Sequence, residues 1–302
     1  MPYDHRNPVT RSATAALAAA VCCATLAGCG ASPEAAQGTR GPAAADSASS
    51  PAPAGTPSGT PAGTASGTAG GAGRPLAGRT VVVDPGHNPG NFRHAREIGE
   101  KVDIGTARKE CDTTGTATNA PGGGDAYTEA AFTLDVSHRL RELLEARGAT
   151  VVLTHDADRP YGPCIDERAR IGNEAAADAV VSVHADGSAT GDRGFHVIVP
   201  AKVKEGAADT GPIVGPSRAL GERIVAGFRR ATGTSPANYL GGGTGLDVRS
   251  DLGGLNLSTV PKVFVECGNM RDPKDAALLT SGVWRQKAAQ GIADGIVTYL
   301  EG

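Results

Sequence analysis

The stretch Val81-Val82-Val83-Asp84-Pro85-Gly86-His87 and its later counterpart Val180-Val181-Ser182-Val183-His184-Ala185 decide how this chain folds. Each is a β-branched run that closes on a histidine. Short apolar runs stopped by turn chemistry read as strands of a parallel sheet buried on both faces, and such sheets present their functional groups at the strands' C-terminal ends. Both imidazoles are therefore expected along one edge of one sheet. Taken singly, either histidine reads equally well as an ordinary hydrogen-bonded residue at a strand end.

Outward from these two runs, strands and helices alternate. A strand at 80–84 leads into a long Gly-rich excursion and then a helix over 128–147, where Phe132, Val136, Leu140, Leu143 and Leu144 fall on one face. Gly148 stops that helix. The pattern then predicts a strand at 150–154, a helix at 164–177, the strand 179–184, a further strand at 195–199 at or near a sheet edge, and a helix at 213–232. A strand at 262–266 and helices at 274–280 and 283–300 close the chain. Alternation of this kind predicts an α/β fold, a mostly parallel twisted sheet with helices on both faces.

The region preceding this domain has a different composition. Arg6 and Arg11 precede an apolar stretch at 13–27 that is too short to span a bilayer and has the layout of a secretory signal. It ends in Leu26-Ala27-Gly28-Cys29, which resembles a bacterial lipobox, the alternative being an ordinary signal peptide cleaved nearby. A lipobox implies acylation of Cys29 and a tether to the outer face of the cell membrane. Residues 30–75 are almost entirely Ala, Gly, Pro, Ser and Thr, with little to bury, so they read as a disordered, extended linker. The expected organisation is thus a signal peptide with lipobox at 1–29, a linker at 30–75 and one catalytic domain at 76–302.

Net charge is −3, basic residues are scattered and aromatics make up 4%, so nothing marks a nucleic-acid groove. Cysteine usage agrees with export. Of the six cysteines, Cys111, Cys164 and Cys267 fall in the domain. Cys111 in a Gly/Thr-rich loop and Cys164 in Tyr-Gly-Pro-Cys are both surface contexts, and a Cys111–Cys164 disulfide is predicted. Cys267 follows Glu266 in a buried strand, so it is expected to face away from that carboxylate and pack as a small hydrophobe.

Two histidines and a carboxylate are the ligand types of a hydrolytic zinc site, which keeps a position open for water. His87, Glu129 and His184 can supply them, for one Zn2+ per domain. Glu129 is also well explained as a carboxylate favoured by the dipole of the helix it opens. Glu266, at the end of Lys262-Val263-Phe264-Val265, is a carboxylate on a buried apolar strand. It must face a metal, a cation such as Arg249 or Arg271, or solvent in a cleft. Beside a metal it would be the general base, taking a proton from water and passing it to the leaving amine.

At this point four motifs stand in register. Val83-Asp84-Pro85-Gly86-His87, Glu129 opening a helix, Ser182-Val183-His184-Ala185 and Val265-Glu266-Cys267-Gly268-Asn269 resemble, in order and spacing, the zinc-dependent N-acetylmuramoyl-L-alanine amidases. The resemblance covers residues 80–300 and implies a phosphorylase/hydrolase-like α/β fold, zinc on His87, Glu129 and His184, and Glu266 as the catalytic glutamate. It implies hydrolysis of the amide between N-acetylmuramic acid and L-alanine, in peptidoglycan or muropeptides. The chain departs from the pattern at Asn88-Pro89-Gly90, where many members have a glycine directly after the histidine, and at Cys267, where an aliphatic residue is common. No accessory wall-binding repeat is evident, and residues 92–118 leave room for a partial lid. Arg249 and Asn256 are candidates for holding substrate carboxylate or amide groups. His94 and His196 are expected to stay off the metal. Two readings compete: a zinc peptidase cutting within the stem peptide, whose ligands could be the same, and a non-catalytic wall-binding lipoprotein, which is expected to have lost one of the four chemical positions.

Overall fold

Alternation along the strands sorts this chain's residues onto two unlike faces of one sheet, and the fold follows from how each face is covered. A computed structural model describes residues 74–120 and 125–302. The expected signal sequence, Cys29 and all but the last residues of the expected linker lie outside the described residues.

In chain order come β1 (Thr80–Pro85), the single turn α1 (Ala95–Ile98), the hairpin strands β2 (Lys101–Asp103) and β3 (Arg108–Glu110), α2 (Glu129–Ala146), β4 (Thr150–Leu153) and α3 (Ile165–Glu174). They are followed by β5 (Ala179–Asp186), β6 (His196–Pro200), the small hairpin β7 (Lys204–Glu205) and β8 (Ala208–Asp209), and α4 (Val214–Thr232). The chain ends with β9 (Leu246–Arg249), the short α5 (Gly253–Asn256), β10 (Lys262–Asn269), α6 (Pro273–Leu279) and α7 (Gly282–Leu300).

The main sheet has the order β4-β1-β5-β10-β6-β9. Every neighbouring pair in it is parallel except β10 with β6. This is the mostly parallel α/β fold expected from the alternation. On one face lie Val81, Val83, Val181, Val183, Val197, Val199, Val263, Val265 and Cys267, all buried in one cluster with Phe132 and Val136 of α2, Ile224 and Phe228 of α4, and Ile292 and Ile296 of α7. The alternate residues, Asp84, Ser182, His184, Phe264, Glu266 and His196, share the other face through the cross-strand register. A smaller cluster of Val82, Ala177 and Val180, with Ile171 and Val260 against it, is the apolar part of that face. Cys267 is therefore turned from Glu266 by the two-residue period of the strand.

The strands run further than their apolar stretches. β5 continues past His184 to Asp186 and β10 past Glu266 to Asn269, the two strands pairing again at Asn269 and Asp186 after a register shift. His184 and Glu266 are accordingly inside strands rather than at their tips. The sequence pattern gives no sign of β9 or α5, because β9 is a short outer strand with partly exposed residues and α5 is one turn containing two glycines. β6 lies one strand in from the edge that β9 forms. Residues 92–118 contain the α1 turn and the β2–β3 hairpin, and Cys111 is bonded to Cys164 at the start of α3. Among the described residues no helix is long and apolar enough to cross a membrane.

Candidate active site

Parallel pairing of β1 with β4 requires a crossover, and α2 supplies it, so the N-terminus of α2 returns to the edge where β1 ends. The Thr128 side chain accepts from the Ala131 N–H and caps the helix, which makes Glu129 its first residue. There the Glu129 carboxylate meets both histidines: Oε2 is 3.1 Å from His87 Nε2 and Oε1 is 3.0 Å from His184 Nδ1. Ligand atoms of the three residues all lie within 4.8 Å of one another. The carboxylate cannot swing freely, because the Thr116 N–H donates to Oε2 at 2.9 Å and the Ala185 N–H to Oε1 at 3.1 Å. Burial works to raise its pKa, but His87 and His184 hold the carboxyl well below the usual carboxylate range.

Small residues make the convergence possible. A β-carbon on Gly86 would lie 2.3 Å from His184 Cε1, and one on Gly115, whose φ is +73°, would lie 2.7 Å from His87 Cδ2. Only glycine lets the backbone pass this close to the two rings. The His87 Nδ1 is 3.1 Å from the Thr113 carbonyl, which leaves Nε2 pointing at Glu129. The His184 ring stacks on Phe264 with centroids 5.2 Å apart.

Glu266 is the register partner of His184 on β5 and of His196 on β6. Its Oε2 is buried and, among the described residues, without a hydrogen-bond partner. Burial, then the neighbouring carboxylates Glu129 and Asp186, push its carboxyl well above the ordinary range. A carboxylate whose proton affinity is raised, beside a cluster able to hold a cation, is suited to accept and return a proton. His87, Glu129, His184, Arg249, Phe264 and Glu266 all line one cleft of about 340 Å³.

Of the substrate-binding candidates, the structure brings one to the cleft. Arg249 lines it, and its guanidinium is paired with Asp251 at 2.8 and 2.7 Å, so Glu266 is not the carboxylate that satisfies this arginine. Asn256 is 1% exposed, and its Nδ2 donates to Thr106 Oγ1 and the Ser250 carbonyl. Those two bonds tie α5 to neighbouring loops, while Oδ1 of the same amide is buried with no hydrogen-bond partner among the described residues. His94 packs against Tyr161 and approaches Glu97, while His196 faces Tyr239; neither joins the three-residue cluster. Sequence reasoning missed the charged layer beneath the cleft, where Asp84 lies between Arg168 and Lys262, all three buried. The available signal was charge inside apolar runs, Asp84 after three valines and Lys262 before Val263-Phe264-Val265.

The family described as N-acetylmuramoyl-L-alanine amidase matches residues 81–298. The chain belongs to this family. An N-acetylmuramoyl-L-alanine amidase of Mycobacterium tuberculosis is 40% identical over 226 residues, 74% of this chain and 88% of that one. The amidase LytC of Bacillus subtilis is 26% identical over 235 residues, 74% of this chain but 36% of the longer relative. The crystal structure of an N-acetylmuramyl-L-alanine amidase from Mycobacterium smegmatis superposes with a TM-score of 0.66 at 40% identity, covering 74% of this chain and 98% of that one. The matched span contains His87, Glu129, His184 and Glu266, so the cleft of this amidase lies within the segment that carries the family's activity.

Proposed function

We propose that this amidase is a zinc enzyme in which His87, Glu129 and His184 hold the metal and Glu266 is the general base. The observation that carries this reading is the donor set, two imidazoles and one carboxylate with ligand atoms within 4.8 Å of one another, which suits zinc with a position left open. Zinc, when bound there, would polarise the amide carbonyl and lower the pKa of a water to about 7. Glu266 takes the proton of the attacking water and delivers it to the alanine nitrogen as the C–N bond breaks. The products are a sugar bearing the lactyl carboxylate and a peptide with a free L-alanine amine. Arg249, at the cleft wall, would meet a carboxylate or amide oxygen of the substrate.

The reaction is the family's, cleavage of the amide between N-acetylmuramic acid and L-alanine, and peptidoglycan or its muropeptides are the substrate class. We infer further that residues 1–29 export the chain, that Cys29 is acylated, and that residues 30–75 give the domain at 76–302 reach from the outer face of the membrane into the wall. Mass analysis of the membrane-extracted protein is expected to show a mature chain starting at a lipid-modified Cys29.

The test of the chemistry is digestion of purified muropeptides by the zinc-loaded protein and by Glu266→Ala, with products identified by mass spectrometry. Free stem peptide beginning at L-alanine, made by the parent alone, is the expected result. Cleavage inside the peptide would refute the assignment.

A further inference from the structure

His87 sits in the left-handed region of backbone space, φ +62°, where residues with a β-carbon are rare and stay only if neighbours fix them. Three consecutive carbonyls of its turn are held. Arg168 Nη1 donates to the Pro85 carbonyl at 2.6 Å, Thr133 Oγ1 to that of Gly86 at 2.6 Å, and Arg168 Nη2 to that of His87 at 2.9 Å. The same guanidinium donates to Asp84 Oδ1 at 2.7 Å, to Asp112 Oδ2 at 3.0 Å and, through Nε, to the Pro163 carbonyl at 2.9 Å.

All the donor capacity of this buried arginine is therefore spent, and two of its bonds fix the backbone on either side of Gly86. The bond to Asp112 reaches the other end of the same histidine. Asp112 Oδ1 lies 3.6 Å from His87 Nδ1, and the carbonyl of the next residue, Thr113, is 3.1 Å from that nitrogen. Arg168 thus grips His87 by its main chain and, through the Asp112-Thr113 segment, by the back of its ring. The Cys111–Cys164 bond fastens the two parts of the grip, since Asp112 follows Cys111 and Arg168 lies one turn into the helix that Cys164 opens.

We propose that Arg168 is a positioning residue for the metal centre, holding His87 in the conformation in which its Nε2 faces Glu129. A lysine could carry the charge but could not span the carbonyls of Pro85 and His87 together with both carboxylates. The proposal rests on the zinc reading above.

The experiment measures the zinc dissociation constant of the metal-stripped full chain by competition with a chelating dye, alongside thermal melting of the same metal-free protein. Arg168→Lys is expected to raise the Kd by about 10–100-fold, the size of effect that support of a metal ligand carries, while the metal-free chain still melts cooperatively. Asp112→Asn, which leaves the main-chain grip in place, is expected at about the lower end of that range. Ile292→Val, on the opposite face of the sheet, is expected to leave the Kd unchanged. A folded Arg168→Lys or Asp112→Asn that binds zinc with the parent Kd overturns the proposal, as does loss of cooperative melting in both, because the grip would then serve the fold alone. A parent chain that binds no zinc removes the zinc reading itself, and the proposal with it.

Discussion

The two faces of the central sheet are built from the same strands and obey opposite rules. Toward α2, α4 and α7 the strands present valines, alanines and Cys267. One residue along each strand, the other face presents Asp84, Ser182, His184, Lys262 and Glu266. The first face gains stability by removing apolar area from water, a non-directional effect that tolerates conservative exchange. The second removes charges from water, which is unfavourable unless each finds a partner. Asp84 has two, Arg168 at 2.7 Å and Lys262 at 3.2 Å. Glu266 Oε2 has none among the described residues. On the polar face the paired charges hold the frame, and the carboxylate left without a partner is the one the proposed chemistry uses.

Glu266→Gln separates the two kinds of charge most strongly. Removing the proposed general base is expected to lower turnover of a muropeptide by about 10²–10⁴-fold. Stability is expected to move the other way. The Glu266 carboxyl is held above its unfolded value by burial and by Glu129 and Asp186, so the folded state binds the proton more tightly, and the group's contribution falls as pH rises through the interval between the two values. At pH 7, above the ordinary carboxyl value of the unfolded chain, this group therefore costs stability that glutamine does not. Thermal melting of the metal-free protein at pH 7 should therefore show an unchanged or raised Tm, and a Tm lowered by several degrees would show that Glu266 belongs to the frame.

Asp84→Asn asks the converse question. Here the charge is paired, so deletion leaves Arg168 and Lys262 buried without their shared carboxylate, and a loss of about 3–5 kcal/mol in denaturant unfolding is expected. Burial opposes ionisation of Asp84, but Lys262 and Arg168 outweigh it and hold the carboxyl far below its usual range. A depressed folded value means that the stabilisation is present in full above the unfolded value, about 3.9, and is lost as pH falls below it. Between about pH 4 and pH 2 the parent should lose stability more steeply than Asp84→Asn. Parallel slopes would mean that the pair does not act as the geometry indicates.

The same contrast explains what the sequence made legible. Strands and long helices of the aliphatic face announce themselves by periodicity, because burial there is repetitive: Phe132, Val136, Leu140 and Leu144 mark α2 as plainly as the valines mark β1 and β5. His87, Glu129, His184 and Glu266 were legible as residue types at strand and helix ends, and their spacing resembled a family. Their supports were not. Arg168 looks like any charge on the helix 164–177, and its acceptors Asp84, Pro85, His87, Asp112 and Pro163 lie in three separate stretches of chain. Asn256 is a second case, since an asparagine near a Gly-rich approach reads as a ligand contact, and no periodicity in the sequence announces that its Nδ2 donates to Thr106 Oγ1 and the Ser250 carbonyl. Long-range partners of a single polar side chain leave no periodic trace, so they become visible only when the fold closes.

The smallest expected effect is also the cleanest test of whether the two faces are independent. Ile292 is buried in the aliphatic cluster on α7 and does not line the cleft. Ile292→Val removes one methylene from a packed site, and denaturant unfolding should show a loss of about 1 kcal/mol, from lost transfer free energy and the small cavity left behind. Because the sheet backbone separates this site from Glu266 and the histidines, kcat and KM for a muropeptide should stay at parent values below the melting range. Distant sites couple weakly, usually by less than about 0.5 kcal/mol, so a change in kcat/KM beyond about twofold would exceed that expectation. Such a change would mean that packing on the aliphatic face sets the strand register of His184 against Glu266, and the division of labour between the faces would have to be given up.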